Sequence, residues 1–302
     1  MHENEFIIYL KELLYKSDLN KIIFGKALTT SKIEELLKKA YVYYNELIEW
    51  NKKINLTTIV KPQEFIERNI IDSLMVFKIL DYSFSENSEN LRYNAQYNNE
   101  QYDNNIKEIT NANNNYDCGS IQYFKDNKKI IERKINILPG NSKKEIIKNN
   151  LKLLDIGSGA GLPGFILKIF NKNIELYSIE SVLKKCAFQK YAARRLNFEN
   201  FYCFNENIYK MNELPEVNAI ITRAAFNINE LIYLINSLKI NSSEWPLNLI
   251  LFLTNMKDAN AIEKEKYGDK NLYIDKILMY KNNSGKDKKF KQIVNFKLTK
   301  KI

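Results

Sequence analysis

The sequence predicts an α/β protein: a mostly parallel sheet wrapped by helices, preceded by a small helical N-terminal part. Three observations carry this. From residue 151 onward, short apolar runs alternate with helical patterns, as expected of parallel strands joined by crossover helices. A glycine-rich loop, DIGSGAGLPG at residues 155–164, stands between the first apolar run and the first helical pattern, where α/β sheets bring their backbone close to a nucleotide-like ligand. Residues 5–50 and 62–80 carry apolar side chains at helical spacing.

In the N-terminal part, Phe6, Ile7, Leu10, Leu13 and Leu14 follow helical intervals. Thr29, Thr30 or Ser31 caps a second helix, with Glu34 placed as the capping-box acid for Ser31. Leu36, Leu37, Ala40, Tyr41, Tyr44, Leu47, Ile48 and Trp50 give that helix a core face, so its aromatic residues are read as packing. In Trp50–Thr57, WNKKINLT, polar and apolar residues alternate as in a buried turn whose side chains satisfy backbone groups. Pro62 opens a third helix, Gln63 to Leu80, with Phe65, Ile66, Ile70, Leu74 and Phe77 on one side. Its polar set is Arg68, Asn69, Asp72 and Ser73. Arg68 and Asp72 are four residues apart, the spacing of a surface ion pair. Positioning of a substrate is the functional alternative for these two.

Residues 81–150 change character. Asn, Tyr, Glu, Lys and Ser dominate, and no apolar periodicity persists beyond short pieces such as Ile130 to Leu138. They are read as a disordered or loosely structured low-complexity insertion. The chain then divides into a helical part at 1–80, the insertion at 81–150 and the α/β domain at 151–302. Within that domain, strands are predicted at 151–156, 174–179, 201–204, 218–222 and 248–253, and helices at 163–171, 182–196 and 228–238. Residues 271–280 and 290–299 read as a closing antiparallel pair.

Two ligands compete for the glycine loop. Gly159, Gly161 and Gly164 fit G-x-G-x-x-G, the dinucleotide fingerprint, but Asp155-Ile156-Gly157-Ser158 separate it from the strand and Pro163 sits at the helix start. D-x-G-x-G-x-G, the loop of S-adenosylmethionine-dependent methyltransferases, fits Asp155, Gly157, Gly159 and Gly161 without a gap. A ligand-free turn is the third reading, disfavoured because each glycine would weaken the fold for no return. Glu180 follows the second apolar run, at the carboxyl edge beside the loop, where an acid accepts both hydroxyls of a ribose.

Charge and residue types narrow the chemistry. The 46 Lys and Arg outweigh the 36 Asp and Glu by ten, a field that favours a polyanion such as nucleic acid or merely keeps the protein soluble. Lys184, Lys185, Lys190, Arg194 and Arg195 on the 182–196 helix are phosphate contacts or a solvated face, with Leu183, Ala187, Tyr191, Phe188, Ala192 and Leu196 towards the core. Cys118, Cys186 and Cys203 are odd in number and not spaced as metal ligands, which points to a reduced setting and no metal. No run approaches the ~18 apolar residues of a membrane span, and His2-Glu3-Asn4-Glu5 does not open a signal peptide. Cytoplasmic location follows.

Arg223 ends the fourth predicted strand, where a cation meets the carboxylate of a cofactor or a phosphate of RNA. The Asp/Asn/Ser-Pro-Pro-aromatic motif of amino-group methyltransferases is absent there. Neither Cys186, on a helix, nor Cys203, on a strand, stands beside proline as a cytosine-C5 nucleophile would. His2 is the single histidine, so histidine acid–base catalysis is excluded. Methylation of a ring nitrogen such as guanine N7 suits such a site, because the in-plane lone pair attacks without prior proton removal and the enzyme has only to align and stabilise.

WNKKINLT at 50–57, Arg68-Asn69-Ile70-Ile71-Asp72-Ser73-Leu74, DIGSGAGLPG and ITRA at 221–224 occur in an order and spacing that resemble the ribosomal RNA small subunit methyltransferase G family, also called glucose-inhibited division protein B. The resemblance covers residues 30–80 and 151–225 well, the last 75 loosely, and leaves 81–150 as extra. It implies a class I S-adenosylmethionine-dependent fold, Rossmann-like with a seven-stranded mostly parallel sheet, and N7 methylation of a guanosine in 16S ribosomal RNA. The implied partner is that RNA or the assembling small subunit; the sequence does not fix the oligomeric state, and a monomer is the expectation. Carried over, Gly157 and Leu162 contact the cofactor from the loop, Arg223 from the fourth strand, and Ile208 and Tyr209 at the adenine. The chain departs from the family's Arg-His at Arg68-Asn69, from its Arg-Ala-Glu at Asn207-Ile208-Tyr209 and from its Lys-Gly at Thr254-Asn255. These departures motivate the alternative of a weakened or inactive relative that binds ribosomal RNA.

Overall fold

The computed structural model describes residues 1–23, 29–80, 151–223, 225–238, 246–253, 256–281 and 290–300. The predicted insertion at 81–150, Cys118 and Thr254-Asn255 lie outside the described residues. Seven strands form one sheet: β1 Lys152–Ile156, β2 Glu175–Ile179, β3 Phe201–Phe204, β4 Ala219–Arg223, β5 Leu247–Leu253, β6 Lys270–Lys281 and β7 Phe290–Lys300. Their order is β3-β2-β1-β4-β5-β7-β6. The first five pair in parallel, and β7 lies antiparallel between β5 and β6. A dinucleotide-binding sheet runs 3-2-1-4-5-6. The reversed β7 breaks that order and gives the class I methyltransferase sheet that the sequence predicted.

Strand order reverses between β1 and β4, so their carboxyl ends flank the crevice where open α/β sheets take ligands. The Thr222 hydroxyl donates to the Ile156 carbonyl at 2.9 Å and ties the two ends together. The crossover helices are α6 Gly164–Phe170, α7 Leu183–Arg195, α8 Ile228–Ser237 and α9 Met256–Lys264. The last of these has no counterpart among the predicted elements. Leu183 is 68% exposed, contrary to expectation. Cys186, Gln189 and Ala193 are buried alongside the expected Phe188 and Ala192.

The N-terminal helices are α1 Glu3–Lys16, α2 Leu19–Ile23 and α3 Thr30–Asn51. Thr29 caps α3, its hydroxyl accepting from the Lys32 amide at 3.3 Å, so Ser31 and Glu34 form no capping box. The WNKKINLT turn satisfies its backbone as expected: Asn51 Oδ1 accepts from the amides of Leu56 at 2.8 Å and Thr57 at 2.9 Å.

The predicted third helix is three pieces: α4 Pro62–Phe65, a π-helix Ile66–Ile71 and α5 Asp72–Ile79. The wider turn of a π-helix moves residues around the axis relative to an α-helix. It carries Asp72 to the buried side while Arg68 stays outside. The expected Arg68–Asp72 pair therefore does not form: Arg68 pairs with Glu64 at 2.6 Å, and Asp72 pairs with Lys291.

One apolar core joins the helical part to the sheet. It contains Phe6, Leu37, Tyr43, Phe65 and Phe77 together with Leu153, Phe165, Phe188, Ile221 and Ile293. Each such side chain contributes roughly 1.5–3 kcal/mol on full burial, so the helices are held to the sheet by the same force that holds the sheet together. Glu46 of α3 adds a polar clamp at the rim, accepting from Tyr191 and Arg195 of α7, each at 2.9 Å. The opposite face packs Leu154, Ile220, Leu249 and Phe296 against Leu231, Leu234 and Ile235 of α8.

Candidate functional site

The loop after β1 is built from three residues with left-handed backbone: Gly157 at φ +69°, Gly159 at +60° and Gly161 at +91°. A Cβ on Gly157 would stand 2.5 Å from the Ala225 Cβ, and one on Gly161 would stand 2.4 Å from the Phe165 ring. Gly159 differs, because a Cβ there would meet nothing within 4 Å. Its left-handed backbone faces open space, as a surface for a ligand should. Gly164 is needed for another reason: its amide donates to Asp155 Oδ2 at 2.8 Å, and a Cβ would meet that oxygen and Leu176.

Glu180 follows β2 and is 5% exposed. One carboxylate oxygen accepts from the Gly159 amide at 2.8 Å and the other from the Val182 amide at 2.8 Å. A carboxylate has about four lone-pair sites, so two remain for the hydroxyls of a ribose. Asp155 is fully buried, and its Oδ1 has no partner among the described residues. Burial pushes its carboxyl up to about 7, against the opposing pull of the Gly164 amide and Arg223. A glycine loop open at Gly159, with a bonded acid across from it that keeps acceptor sites free, fits the ribose hydroxyls of S-adenosylmethionine.

The structure brings Asp155, Gly157, Gly159, Gly161 and Glu180 together. Leu162 is only 9% exposed and packs into the core, leaving its backbone to face the loop. Ile208 and Tyr209 lie on a short 3-10 helix whose cap, Asn207, accepts from the Tyr209 amide at 3.0 Å. Tyr209 is exposed, with its ring 5.2 Å from that of Tyr233. Arg223 ends β4 and is turned towards the π-helix. Its guanidinium donates to the Arg68 carbonyl at 3.2 Å and to Asn69 Oδ1. Asp72 belongs to this second cluster, whereas the Arg68 side chain leaves it for Glu64.

Sequence reading missed three supports. Gln189 of α7 is fully buried and donates to Ser158 Oγ and the Gly159 carbonyl, each at 2.8 Å. Asn205 donates to the Glu180 and Ser181 carbonyls at 3.0 Å. The Tyr43 hydroxyl of α3 donates to the Ala160 carbonyl at 2.7 Å, fastening the N-terminal part to the loop. A lone Gln on the apolar side of a basic helix was the one available signal. Cys186 and Cys203 are free thiols with sulfurs 2.7 Å apart.

The family model of rRNA small subunit methyltransferase G matches residues 36–88 and 98–258, a range that takes in part of the stretch 81–150 set apart above. The ribosomal RNA small subunit methyltransferase G of Mycoplasma capricolum subsp. capricolum is 28% identical over 210 residues, 69% of this chain and 62% of that protein. That of Aquifex aeolicus is 28% identical over 207 residues, 68% of this chain and 73% of that protein. That of Mycoplasma mycoides subsp. mycoides SC is 28% identical over 183 residues, 61% of this chain and 85% of that protein. The chain thus spans less than two thirds of the length of the first of these relatives. The family match covers more than half of the chain and includes the loop, its acid and Arg223: the chain belongs to the rRNA small subunit methyltransferase G family.

Proposed function

We propose that this protein methylates guanine N7 in small-subunit ribosomal RNA, with S-adenosylmethionine as donor. The observation that carries the reading is the Gly159–Glu180 hydrogen bond at the β1/β2 carboxyl edge, which closes a glycine cradle on an acid with lone pairs to spare. When bound, the donor supplies an electrophilic methyl on a sulfonium. The chain's own residues do the rest. Asp155, Gly157, Gly159, Gly161 and Glu180 bind and orient, with Leu162, Ile208 and Tyr209 bordering the adenine side. Arg223 would meet the cofactor from β4, and Asp72 is the candidate for positioning the substrate.

A guanine N7 lone pair needs no base to free it, so alignment and charge stabilisation suffice. The single histidine caps α1, far along the chain from the loop, in keeping with such a reaction. The non-catalytic alternative is not favoured, since the loop and both acids keep a donor-binding arrangement. Asn69, one of the departures, is bonded to Arg223 rather than idle. Among the described residues no helix is long and apolar enough to cross a membrane. A ribosomal RNA substrate supports reading the protein as cytoplasmic, and we expect a monomer. Labelled S-adenosylmethionine and small-subunit RNA lacking the mark test this. Transfer to guanine N7 is expected. No transfer, or transfer to another atom, overturns it.

A further inference from the structure

The glycine loop accounts for one side of the carboxyl edge. On the other side of Arg223, β5, β6 and β7 meet the π-helix and α5 in a second polar cluster. Lys291 of β7 pairs with Asp72 of α5 across 219 residues of sequence. Asp72 is 3% exposed, and among the described residues the one group within reach of its Oδ1 is the Tyr280 hydroxyl, which does not close a hydrogen bond of good geometry. Tyr280 of β6 and Arg223 of β4 face the same carboxylate. Asn69 is 1% exposed; its Oδ1 takes a bond from Arg223, and its Nδ2 donor has no partner among the described residues.

Arg223 faces Asp72 and also Asp155, so its charge is shared between two acids, and Asn69 Nδ2 is a buried amide donor that no described residue takes. Lys291 is also the open side of the cluster, with 33% of its side chain exposed against 4% for Asp72. An ammonium carries three donors, and Asp72 takes one. A one-third exposed cation held in place by a buried acid, with donors that no described residue takes, is an anion site.

We propose that Lys291 binds a phosphodiester of the RNA strand next to the target nucleotide. This deepens the function proposed above and rests on it. Sheet geometry selects the substrate over the cofactor as the source of the anion. Glu180 and the loop sit at β2 and β1, whereas β7 is three strands beyond β1, or about 14 Å at ~4.8 Å per strand. Arg223 lies between them on β4. Lys291 is thus on the far side of Arg223 from the ribose-binding acid. The family match ends at residue 258, so it gives Lys291 no role.

The test compares Lys291→Gln and Lys291→Arg with the wild-type chain. Three quantities are read: the S-adenosylmethionine Kd by calorimetry, KM and kcat for small-subunit RNA, and the salt slope of RNA binding. Lys291→Gln should raise the RNA KM about tenfold, with kcat and cofactor Kd within about twofold. It should make the slope of log K against log salt shallower by about 0.7, the contribution of one single-strand phosphate. Lys291→Arg should restore both. Should Lys291→Gln unfold the chain, the Asp72→Asn/Lys291→Gln pair removes the cation without stranding a buried charge, and only its salt slope of RNA binding is read, since Asp72 itself borders the site. An unchanged RNA KM and salt slope overturn the proposal and leave Lys291 as the partner of Asp72 only. A matching loss of cofactor affinity overturns it in favour of the cofactor's carboxylate. If the wild-type chain transfers no methyl group, the functional reading falls, and the salt slope alone still decides the role of Lys291.

Discussion

The Gly159 amide donates to the Glu180 carboxylate at 2.8 Å, so the loop after β1 and the acid after β2 are joined without any ligand. The other carboxylate oxygen is committed to the Val182 amide. Glu180→Gln would present an amide donor to one of two backbone donors. A buried donor left unpaired costs about 1–3 kcal/mol. Cofactor affinity should fall by about tenfold or more, read by calorimetric titration, and unchanged affinity would show that Glu180 is structural only.

The three loop glycines should separate stability from binding. An alanine at any of them takes a left-handed backbone at about 1–2 kcal/mol. In Gly161→Ala the Cβ also meets the Phe165 ring, and in Gly157→Ala it meets Ala225. In Gly159→Ala it meets nothing. The expected order of Tm is wild type, then Gly159→Ala, Gly157→Ala and Gly161→Ala. Gly159→Ala should nevertheless lose cofactor affinity, since its methyl enters the open space above the loop. Wild-type binding by Gly159→Ala would place the ligand elsewhere.

Asp155 gives stability a pH signature. Burial raises its carboxyl to about 7, while in the unfolded chain it titrates near 3.9. Between those values the native state holds a proton that the unfolded state has released, so stability falls as pH rises, by about 1.4 kcal/mol per pH unit at most. Asp155→Asn keeps an acceptor for the Gly164 amide and removes the titration. Its Tm should exceed that of the wild type by a margin that widens from about pH 4 to 7 and then stays level. A margin that does not change with pH would mean that the carboxyl ionises normally.

The sheet and the loop were legible because their signals are local. Apolar runs, glycine spacing and an acid placed just after a strand are all read within about ten residues, and the strands appear within one or two residues of their predicted bounds. The second cluster was not legible, because its pairs are long-range: Arg223 meets Asn69 across 154 residues and Lys291 meets Asp72 across 219. The i, i+4 rule that joined Arg68 to Asp72 assumes an α-helix, and the π-helix at Ile66–Ile71 voids that assumption. Gln189 was hidden by its neighbours. In a helix bearing Lys184, Lys185, Lys190, Arg194 and Arg195, the place of Gln189 on the apolar side is the one signal of an inward amide, and it does not say that the amide holds Ser158 and Gly159.

Tyr43 makes the last case, because packing and binding meet in one hydroxyl. Its ring is fully buried, 5.5 Å from the Phe165 ring, and its hydroxyl donates to the Ala160 carbonyl within the glycine loop at 2.7 Å. Tyr43→Phe keeps the ring and removes only the donor. The stranded carbonyl costs about 1–3 kcal/mol, and the cost falls on the loop rather than on the helix, whose apolar contacts are intact. Cofactor Kd should therefore rise several-fold while the apo Tm drops by a few degrees, and adding cofactor should recover less Tm than in the wild type. Equal loss of Tm with and without cofactor, at unchanged Kd, would reduce Tyr43 to a packing residue. The predicted outcome would instead make the N-terminal helices part of the cofactor site, through a residue 117 positions from its partner.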